Sequence, residues 1–399
     1  MALKREVISN YPIEAYIEPT SFCNLRCPAC PTGLRLGERP VTNIDESLFK
    51  AAIDEIGDYV FRLWMYNWGE PLLHRQTPEL IKYAKTKALE VLLSSNLSIP
   101  MTDDYIERLV RSGLDTLIVS LDGTTAETYQ KYRISGSFAL VRENMQRIQE
   151  TKKRLGLQTP HVLWQFLVFK HNEHEIAKAE SVFREWGADS LKVAPAEMPL
   201  EPYRAGFEPS TLPQYNMYHS ESDFVRESER QMSAGKSCSW LYGTFVLNPN
   251  GNVSACCGVS AEKNDFGRYA KGDDFFTVWN NSKFKAARKL FVQFGKTRNG
   301  EPPNALKQQE LISRIDGMAM GLNHSLAQDE LICNKCPIPF RQDDVRLTIL
   351  DITYMLAHTL RHDPSLKQKL RSVVAYALMG APYWQRLVDE TFQKVTANR

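Results

Sequence analysis

Six short strand-like segments alternate with helical segments between residues 13 and 195, and this alternation is the strongest constraint on the fold. Strands and helices that alternate at this spacing form a parallel sheet with right-handed crossovers. Taken alone, the pattern fits half of a doubly wound sheet or part of a barrel. The predicted strands are Ile13–Glu18, Phe61–Tyr66, Val91–Ser95, Thr116–Leu121, Val162–Phe169 and Ser190–Ala194, and the predicted helices are Glu46–Ile56, Thr77–Ala88, Asp103–Ser112, Phe138–Leu155 and Glu173–Trp186.

Composition and charge exclude several classes of protein. The chain has 399 residues and a formal net charge of +2, so nothing favours a polyanionic partner such as nucleic acid. The sequence contains no 18-residue apolar run, so no membrane span is predicted. The first residues are not followed by the apolar segment of a secretion signal. We therefore expect a cytoplasmic protein. In that setting, eight cysteines favour metal or redox chemistry over a disulfide framework.

Three of the cysteines lie close together just after the first predicted strand. Cys23, Cys27 and Cys30 have the spacing C-x3-C-x2-C. Three thiolates can hold three irons of a [4Fe–4S] cube, which leaves the fourth iron open to bind a substrate or cofactor. The alternative is a structural zinc knuckle or a group of buried thiols, but an obvious fourth zinc ligand is missing nearby.

This cysteine spacing resembles the defining motif of the radical S-adenosylmethionine (radical SAM) enzymes. The resemblance implies an α/β fold with a partial (β/α)6 TIM-like barrel, whose cluster loop follows the first strand. It also implies that SAM occupies the open iron and is cleaved to a 5′-deoxyadenosyl radical. Ligand sites of such barrels collect at the carboxyl ends of the strands, where the loops converge.

Two later segments resemble the family's motifs for the methionyl part of SAM. Asn67-Trp68-Gly69-Glu70-Pro71 follows the second predicted strand and is similar to the GGEP motif, which holds the SAM amino group. The resemblance assigns Gly69 and Glu70 to this role, although Trp68 replaces the first glycine. Asn96 follows the third predicted strand in a segment, Ser94-Ser95-Asn96, that resembles the family's T-N-G ending, which implies a contact with the ribose or the methionyl end.

Two further segments complete the expected SAM site. Ser120 and Asp122 follow the fourth strand, where the resemblance implies contacts with SAM. Arg133 lies in the stretch that often supplies a cation for the SAM carboxylate, and a guanidinium can bond a carboxylate in bidentate fashion. Ala29 departs from the family pattern, because many members carry an aromatic residue there against the adenine.

The second half of the chain contains a possible four-cysteine set. Asn250-Gly251 between two strand-like runs predicts a hairpin that brings Cys238 and Cys256 to neighbouring positions. A C-x2-C pair, Cys333 and Cys336, follows much later. On spacing alone, these four thiols fit a zinc ribbon.

The same region resembles the SPASM/twitch extension of radical SAM enzymes, including the segment Asp274–Arg288. The cysteines are too few for a full SPASM domain, so the resemblance implies a twitch-like domain with one auxiliary [4Fe–4S] cluster on Cys238, Cys256, Cys333 and Cys336. Full ligation suits an electron acceptor or donor. Cys257 is then a spare thiol, the ligand in place of Cys256, or a hydrogen-atom donor as in some radical SAM epimerases.

The expected organisation has four parts. Beyond the barrel and the auxiliary region, the chain from Arg341 onward has an amphipathic helical pattern. This pattern predicts a packed extension, with a dimer surface or a substrate lid as the alternative. The parts are a radical SAM partial barrel (1–195), a bridging segment with some helix around Glu221–Met232 (196–237), a SPASM/twitch-like domain (238–340) and a C-terminal helical extension (341–399).

The resemblance fixes the first reaction step better than the outcome. Oxidation through the auxiliary cluster, epimerisation with Cys257 as hydrogen donor, and modification of a ribosomal peptide all remain open. Only about a dozen residues precede the first strand, so we expect no peptide-recognition domain and a small polar substrate of the sugar, aminocyclitol or nucleotide-sugar type. The expected partner is an electron donor such as flavodoxin or ferredoxin, and the oligomeric state stays open. A non-catalytic iron–sulfur electron-transfer protein would instead need a fully ligated first cluster.

Overall fold

The computed structural model describes residues 6–8, 10–35, 39–196, 207–216, 238 and 240–294. The predicted helix around Glu221–Met232, the thiols Cys333 and Cys336, and the C-terminal extension all lie outside these ranges. Within them, nine strands form one sheet in the order β6-β5-β4-β3-β2-β1-β7-β8-β9. The strands are β1 Glu14–Ile17, β2 Arg62–Trp64, β3 Glu90–Ser95, β4 Thr116–Ser120, β5 His161–Val168, β6 Ser190–Pro195, β7 Thr244–Leu247, β8 Asn252–Ser254 and β9 Gly267–Arg268.

Every pairing from β6 across to β7 is parallel, which confirms the predicted α/β class. Strands β8 and β9 add antiparallel pairs beyond β7. The predicted hairpin at Asn250-Gly251 is confirmed between β7 and β8. Gly251 has a φ of +86°, a conformation that glycine adopts without steric cost.

Helices fill the connections between the parallel strands. Side-chain caps fix where several begin: Asp45 accepts from the amides of Ser47 and Leu48, and Ser137 accepts from the amide of Leu140. The helices are α1 Glu46–Ile56, α2 Thr77–Ala84, α3 Asp103–Arg111, α4 Ala126–Tyr132, α5 Phe138–Leu155, α6 Ile176–Val182, α7 Trp240–Gly243, α8 Phe275–Trp279 and α9 Ser282–Phe294, with short 3-10 helices at Pro71–Leu73, Lys85–Lys87, Glu173–Glu175, Pro213–Tyr215 and Glu262–Asn264.

Three differences from the sequence-based expectation concern helices. The structure ends α2 at Ala84 and continues as a 3-10 turn, because Ala88 has a φ of +54° that an α-helix cannot contain. The predicted helix Glu173–Trp186 is likewise a 3-10 turn followed by the shorter α6. Helix α4 was not predicted, although Thr125 caps it in the ordinary way by accepting from the amide of Thr128.

The two faces of the parallel strands have different environments. On β5, Trp164 and Phe166 are completely buried in the apolar core that also contains residues of the surrounding helices. The alternate residues Leu163, Gln165 and Leu167 are only partly buried. Successive side chains of a strand point to opposite faces, so these alternate residues mark the inner face of the barrel, called the lumen below.

The C-terminal part of the described chain is fastened to the barrel by a buried cation. Arg288 is completely buried and donates hydrogen bonds to the carbonyls of Leu241 and Trp279 and to the side chain of Asn280. Asn280 in turn bonds the backbone of Ile8. Neutral acceptors therefore satisfy this guanidinium, while burial lowers its pKa to about 10.

Candidate radical SAM active site

The cysteine loop follows β1 directly, at the carboxyl ends of the strands. Leu25 and Cys27 are buried with Tyr132 and Phe169, which anchors the middle of the loop, while Cys23 and Cys30 remain partly exposed. Burial raises the pKa of Cys23 to about 12 and also raises that of Cys27, with the neighbouring thiols adding to both shifts. Binding of iron to these thiols would therefore release protons.

Two predicted SAM-site side chains approach the thiols. The amide nitrogen of Asn96 lies 4.0 Å from the sulfur of Cys23 and donates to the side-chain oxygen of Asn24 at 3.0 Å. The guanidinium of Arg133 lies 3.8 Å from the sulfur of Cys27. Both contacts place hydrogen-bond donors beside sulfur atoms, which is where a negatively charged cluster needs them.

Asp122 holds Arg133 in place. Its Oδ2 accepts from Arg133 Nε at 2.6 Å, and its Oδ1 accepts from the amide of Leu167 at 2.8 Å. Burial raises the pKa of Asp122, and the adjacent guanidinium opposes that shift. The structure thus places Asp122 behind Arg133 as its anchor, because both carboxylate oxygens already accept hydrogen bonds from the protein. Ser120 lies on the lumen face of β4 and is 9% exposed.

Glu70 also uses its carboxylate within the protein. It accepts from the amide of Leu72, the hydroxyl of Ser95 and the amide of Asn96, at 2.7 to 3.1 Å. Burial raises the pKa of Glu70 to about 7. The carboxyl therefore joins the β2 loop to the end of β3 and orients Asn96. Its predicted contact with the SAM amino group stays a prediction.

Glu18 is a structural partner of the same loop that was not selected from the sequence. Its Oε1 accepts from the amides of Trp68 and Gly69, both at 2.6 Å, while its buried Oε2 has no hydrogen-bond partner among the described residues. A Cβ on Gly69 would lie 1.9 Å from the carbonyl oxygen of Thr20, so only glycine fits beneath the cysteine loop. The sequence indicates this role of Glu18 only through its position, because alternate residues of a strand share one face and Glu18 continues the series of Glu14 and Tyr16.

The departure from the GGEP pattern at Trp68 has a structural explanation. The indole Nε1 of Trp68 donates to the carbonyl of Val259 at 3.2 Å, which connects the SAM loop to the segment after Cys256. A second connection is the buried bidentate pair of Arg39 and Asp265, with distances of 2.7 and 2.9 Å. A glycine at position 68 would lack the first of these contacts.

The auxiliary thiols lie beside the end of the sheet. Cys238 and Cys256 are close enough for the charge of one to raise the pKa of the other. Burial raises the pKa of Cys238 to about 12 and of Cys256 to about 11. Backbone amides oppose these shifts: those of Trp240 and Leu241 act on Cys238, and those of Gly258 and Val259 act on Cys256.

Cys257 lies in a different place from its neighbour. It is partly buried, and a charge on its sulfur would raise the pKa of both Tyr16 and Tyr66 on the lumen side of β1 and β2. The charge of Cys256 thus acts on Cys238, whereas the charge of Cys257 acts on Tyr16 and Tyr66.

The donor set of the cysteine loop fits an iron–sulfur cube. Among the described residues, no three His, Cys, Asp or Glu side chains converge closely enough to hold one metal ion. A cube binds each thiolate at a separate iron, so its thiolates need not meet at one point. Three thiols on one short loop, with Arg133 and Asn96 beside two of them, match that requirement.

Comparisons with known proteins agree with this geometry. The family model of the radical SAM superfamily matches residues 17–177, and that of the SPASM iron–sulfur cluster-binding domain matches residues 238–304. AdoMet-dependent heme synthase of Methanosarcina barkeri is 28% identical over 47% of this chain and 51% of its own length. The PqqA peptide cyclase of Xanthomonas euvesicatoria pv. vesicatoria is 20% identical over 71% of this chain and 76% of its own.

A solved structure supports the fold. Streptococcus suis SuiB bound to S-adenosylmethionine superposes with a TM-score of 0.51 at 15% identity, over 71% of this chain and 68% of SuiB. The match with the heme synthase spans only about half of that relative's length.

The chain carries a radical SAM domain at residues 17–177 and a SPASM-type iron–sulfur domain at residues 238–304. Its cofactors are accordingly S-adenosylmethionine, the SAM-binding [4Fe–4S] cluster and an auxiliary iron–sulfur cluster. No helix in the described ranges is both long and apolar enough to cross a membrane.

Proposed function

We propose that this enzyme oxidises a small polar substrate by two electrons, with Cys23, Cys27 and Cys30 holding the SAM-binding cluster. The auxiliary cluster would be held by Cys238, Cys256, Cys333 and Cys336. When bound, SAM and its cluster supply a 5′-deoxyadenosyl radical, and the auxiliary cluster supplies an electron acceptor. A donor such as flavodoxin or ferredoxin would reduce the SAM-binding cluster beforehand. The product would carry two hydrogens fewer than the substrate.

The contacts of predicted SAM residues with two of the three thiols are the observation that carries the SAM-cleaving part of this proposal. Arg133 joins Asp122 to Cys27, while Asn96 joins Glu70 to Cys23. Arg133 would also be available to pair with the SAM carboxylate, because a guanidinium has more donors than the two that these contacts use. The protein side of the site thus holds and orients SAM, and the buried carboxylates position those donors.

Hydrogen return by Cys257 is a second candidate, favoured by the position of that residue near Tyr16 and Tyr66. In this case a substrate radical would take a hydrogen atom from the thiol on the opposite face, which inverts a stereocentre. One electron from the reduced auxiliary cluster and one proton would return the resulting thiyl radical to the thiol, so the substrate undergoes no net oxidation. The likeness to PqqA peptide cyclase over 71% of the chain supports a third candidate, modification of a peptide.

One experiment distinguishes the first two candidates even when the substrate has not been identified. The reduced holoenzyme and SAM are incubated in heavy water with a small-molecule extract, and substrate–product pairs are sought by mass spectrometry. Oxidation predicts a product poorer by two hydrogens that Cys257→Ala still makes. Epimerisation predicts instead a product with the same number of hydrogens as the substrate, in which one deuterium replaces the hydrogen at the inverted carbon. Cys257→Ala should not make this product.

A further inference from the structure

The cysteine loop is surrounded by exposed apolar side chains. Among the described residues, five large apolar side chains are exposed: Val7, Phe22, Leu34, Val41 and Ile134. All except Val7 lie in the cysteine loop or in a segment whose backbone is hydrogen-bonded to that loop. Apolar side chains scattered singly over a surface need no explanation, whereas a group of them around one site indicates a surface that binds a partner.

Two of these apolar residues are neighbours of Arg26. The amide of Arg26 donates to the carbonyl of Ile134 at 3.0 Å. Gly33 packs against the same stretch of the loop, because a Cβ on Gly33 would lie 2.5 Å from the backbone nitrogen of Cys27 and 3.0 Å from the carbonyl carbon of Arg26. Leu34 directly follows Gly33. Ile134, Arg26 and Leu34 therefore lie close together beside Cys27.

Two guanidinium groups accompany the apolar side chains. Arg26 and Arg35 are exposed, and neither has an ion-pair partner in the described ranges. Residues 19–35 include no Asp or Glu, so no carboxylate of the loop itself offsets the two charges. On α4, by contrast, Lys131 is paired with Glu127 at 3.7 Å. The loop therefore presents uncompensated positive charge in a chain whose net charge is only +2.

The exposed side chains lie on the outer side of the loop. Leu25 and Cys27 are buried in the apolar cluster beneath the loop, whereas Arg26 between them is exposed, so its side chain lies on the solvent side. Electron transfer slows steeply with distance, so a protein that reduces a cluster on these thiols must dock close to them. The term cysteine-loop patch is used below for the exposed side chains of Arg26, Leu34, Arg35 and Ile134.

We propose that an acidic one-electron carrier protein docks on the cysteine-loop patch and reduces the SAM-binding cluster from there. The inference rests on the proposed function, because it takes the three thiols of the loop as the ligands of that cluster. The carrier passes one electron to the cluster and is itself oxidised, and no covalent bond forms between the two proteins. Carboxylates of the carrier would pair with Arg26 and Arg35, while Leu34 and Ile134 would contact its apolar side chains. Electron-transfer complexes have small interfaces, often below about 1,200 Å², so a patch of this size is sufficient.

Binding of a carrier without turnover tests the inference. The oxidised holoenzyme is titrated by calorimetry with an oxidised acidic ferredoxin and, separately, with an oxidised acidic flavodoxin, at about 0.02 M and about 0.2 M salt. At least one carrier should bind, and more weakly at the higher salt concentration, because salt screens exposed charges. Arg26→Glu combined with Arg35→Glu should weaken that binding about tenfold at low salt, whereas Arg26→Lys combined with Arg35→Lys should retain it. Leu34→Asn combined with Ile134→Asn should weaken it to a similar extent at both salt concentrations.

A second charge reversal is the control. Lys153→Glu combined with Lys178→Glu changes the net charge by the same amount at exposed positions on α5 and α6, and should leave carrier binding unchanged. Failure of both carriers to bind, or equal binding by the two charge-reversed proteins, would overturn the inference. Unchanged binding in Arg26→Glu/Arg35→Glu would do the same, and is the result expected if another part of this chain covers the patch.

Reduction by dithionite separates this inference from the proposed function. Dithionite is a small molecule that needs no docking surface, so Arg26→Glu/Arg35→Glu should form 5′-deoxyadenosine more slowly than the wild type with a reduced carrier, but at the same rate with dithionite. Loss of the carrier effect alone would contradict the docking surface. Loss of SAM cleavage by the wild type with dithionite would contradict the proposed function.

Discussion

The SAM side of the barrel and the auxiliary region both bring thiols together, but they stabilise the sulfur atoms with different donors. On the SAM side, the donors include the side chains of Asn96 and Arg133 in addition to the backbone amide of Leu25, which acts on Cys23. In the auxiliary region, the described donors are backbone amides, such as those of Trp240 and Val259. Substitution can remove a side-chain donor without changing the backbone, so single mutations should affect the SAM side more selectively.

The largest expected effect comes from the carboxyl that supports Arg133. Asp122→Ala leaves the guanidinium of Arg133 buried and unpaired, which should lower the free energy of unfolding by about 3–5 kcal/mol. Urea denaturation measures this loss. Asp103→Ala is the matched control, since Asp103 is 94% exposed in its pair with Arg147 and should cost below about 1 kcal/mol. Similar losses in both variants would show that the SAM side does not depend on this side-chain pair.

A pH-dependent effect is expected at Glu18, the carboxyl beneath the SAM loop. Burial raises its pKa from 4.5 to about 7. Between these values the folded protein keeps a proton that the unfolded chain has lost, so stability falls as the pH rises through this window. The fall attributable to Glu18 is at most about 3 kcal/mol.

Glu18→Gln tests this expectation, because glutamine keeps the acceptor for the amides of Trp68 and Gly69 but does not titrate. Urea midpoints of both proteins at about pH 5 and pH 7.5 should show a smaller pH dependence in the variant. Glu127→Gln, at an 84% exposed side chain, should behave like the wild type. An unchanged pH dependence in Glu18→Gln would contradict the assigned pKa shift.

A smaller effect should come from the contact between the two regions. Trp68→Phe removes the donor to the buried carbonyl of Val259, whereas Trp64→Phe removes an indole nitrogen that has no described partner. Trp68→Phe should therefore lower the free energy of unfolding by about 1–2 kcal/mol more than Trp64→Phe. Equal losses would mean that the hydrogen bond between the regions contributes nothing.

The sequence predicted the strands and the grouping of site residues because both follow from local patterns. Period-2 and period-3.6 hydrophobicity indicated the elements of the barrel, and loops after parallel strands had to meet at one edge. Packing interactions between distant segments were not visible in this way. The role of Glu70 in orienting Asn96 depends on which donors burial brings near its carboxyl, and the contact of Trp68 with Val259 joins residues 191 positions apart.

The central claim is that two separate cysteine sets hold two separate clusters, and that only the first supports SAM cleavage. Iron content and 5′-deoxyadenosine formation with dithionite should be measured in Cys23/Cys27/Cys30→Ala and in Cys238/Cys256→Ala after anaerobic reconstitution. We expect each variant to retain about half of roughly eight irons. Only Cys238/Cys256→Ala should still cleave SAM. Cleavage by the Cys23/Cys27/Cys30→Ala variant, or stoichiometric zinc with about four irons in the wild type, would contradict the account.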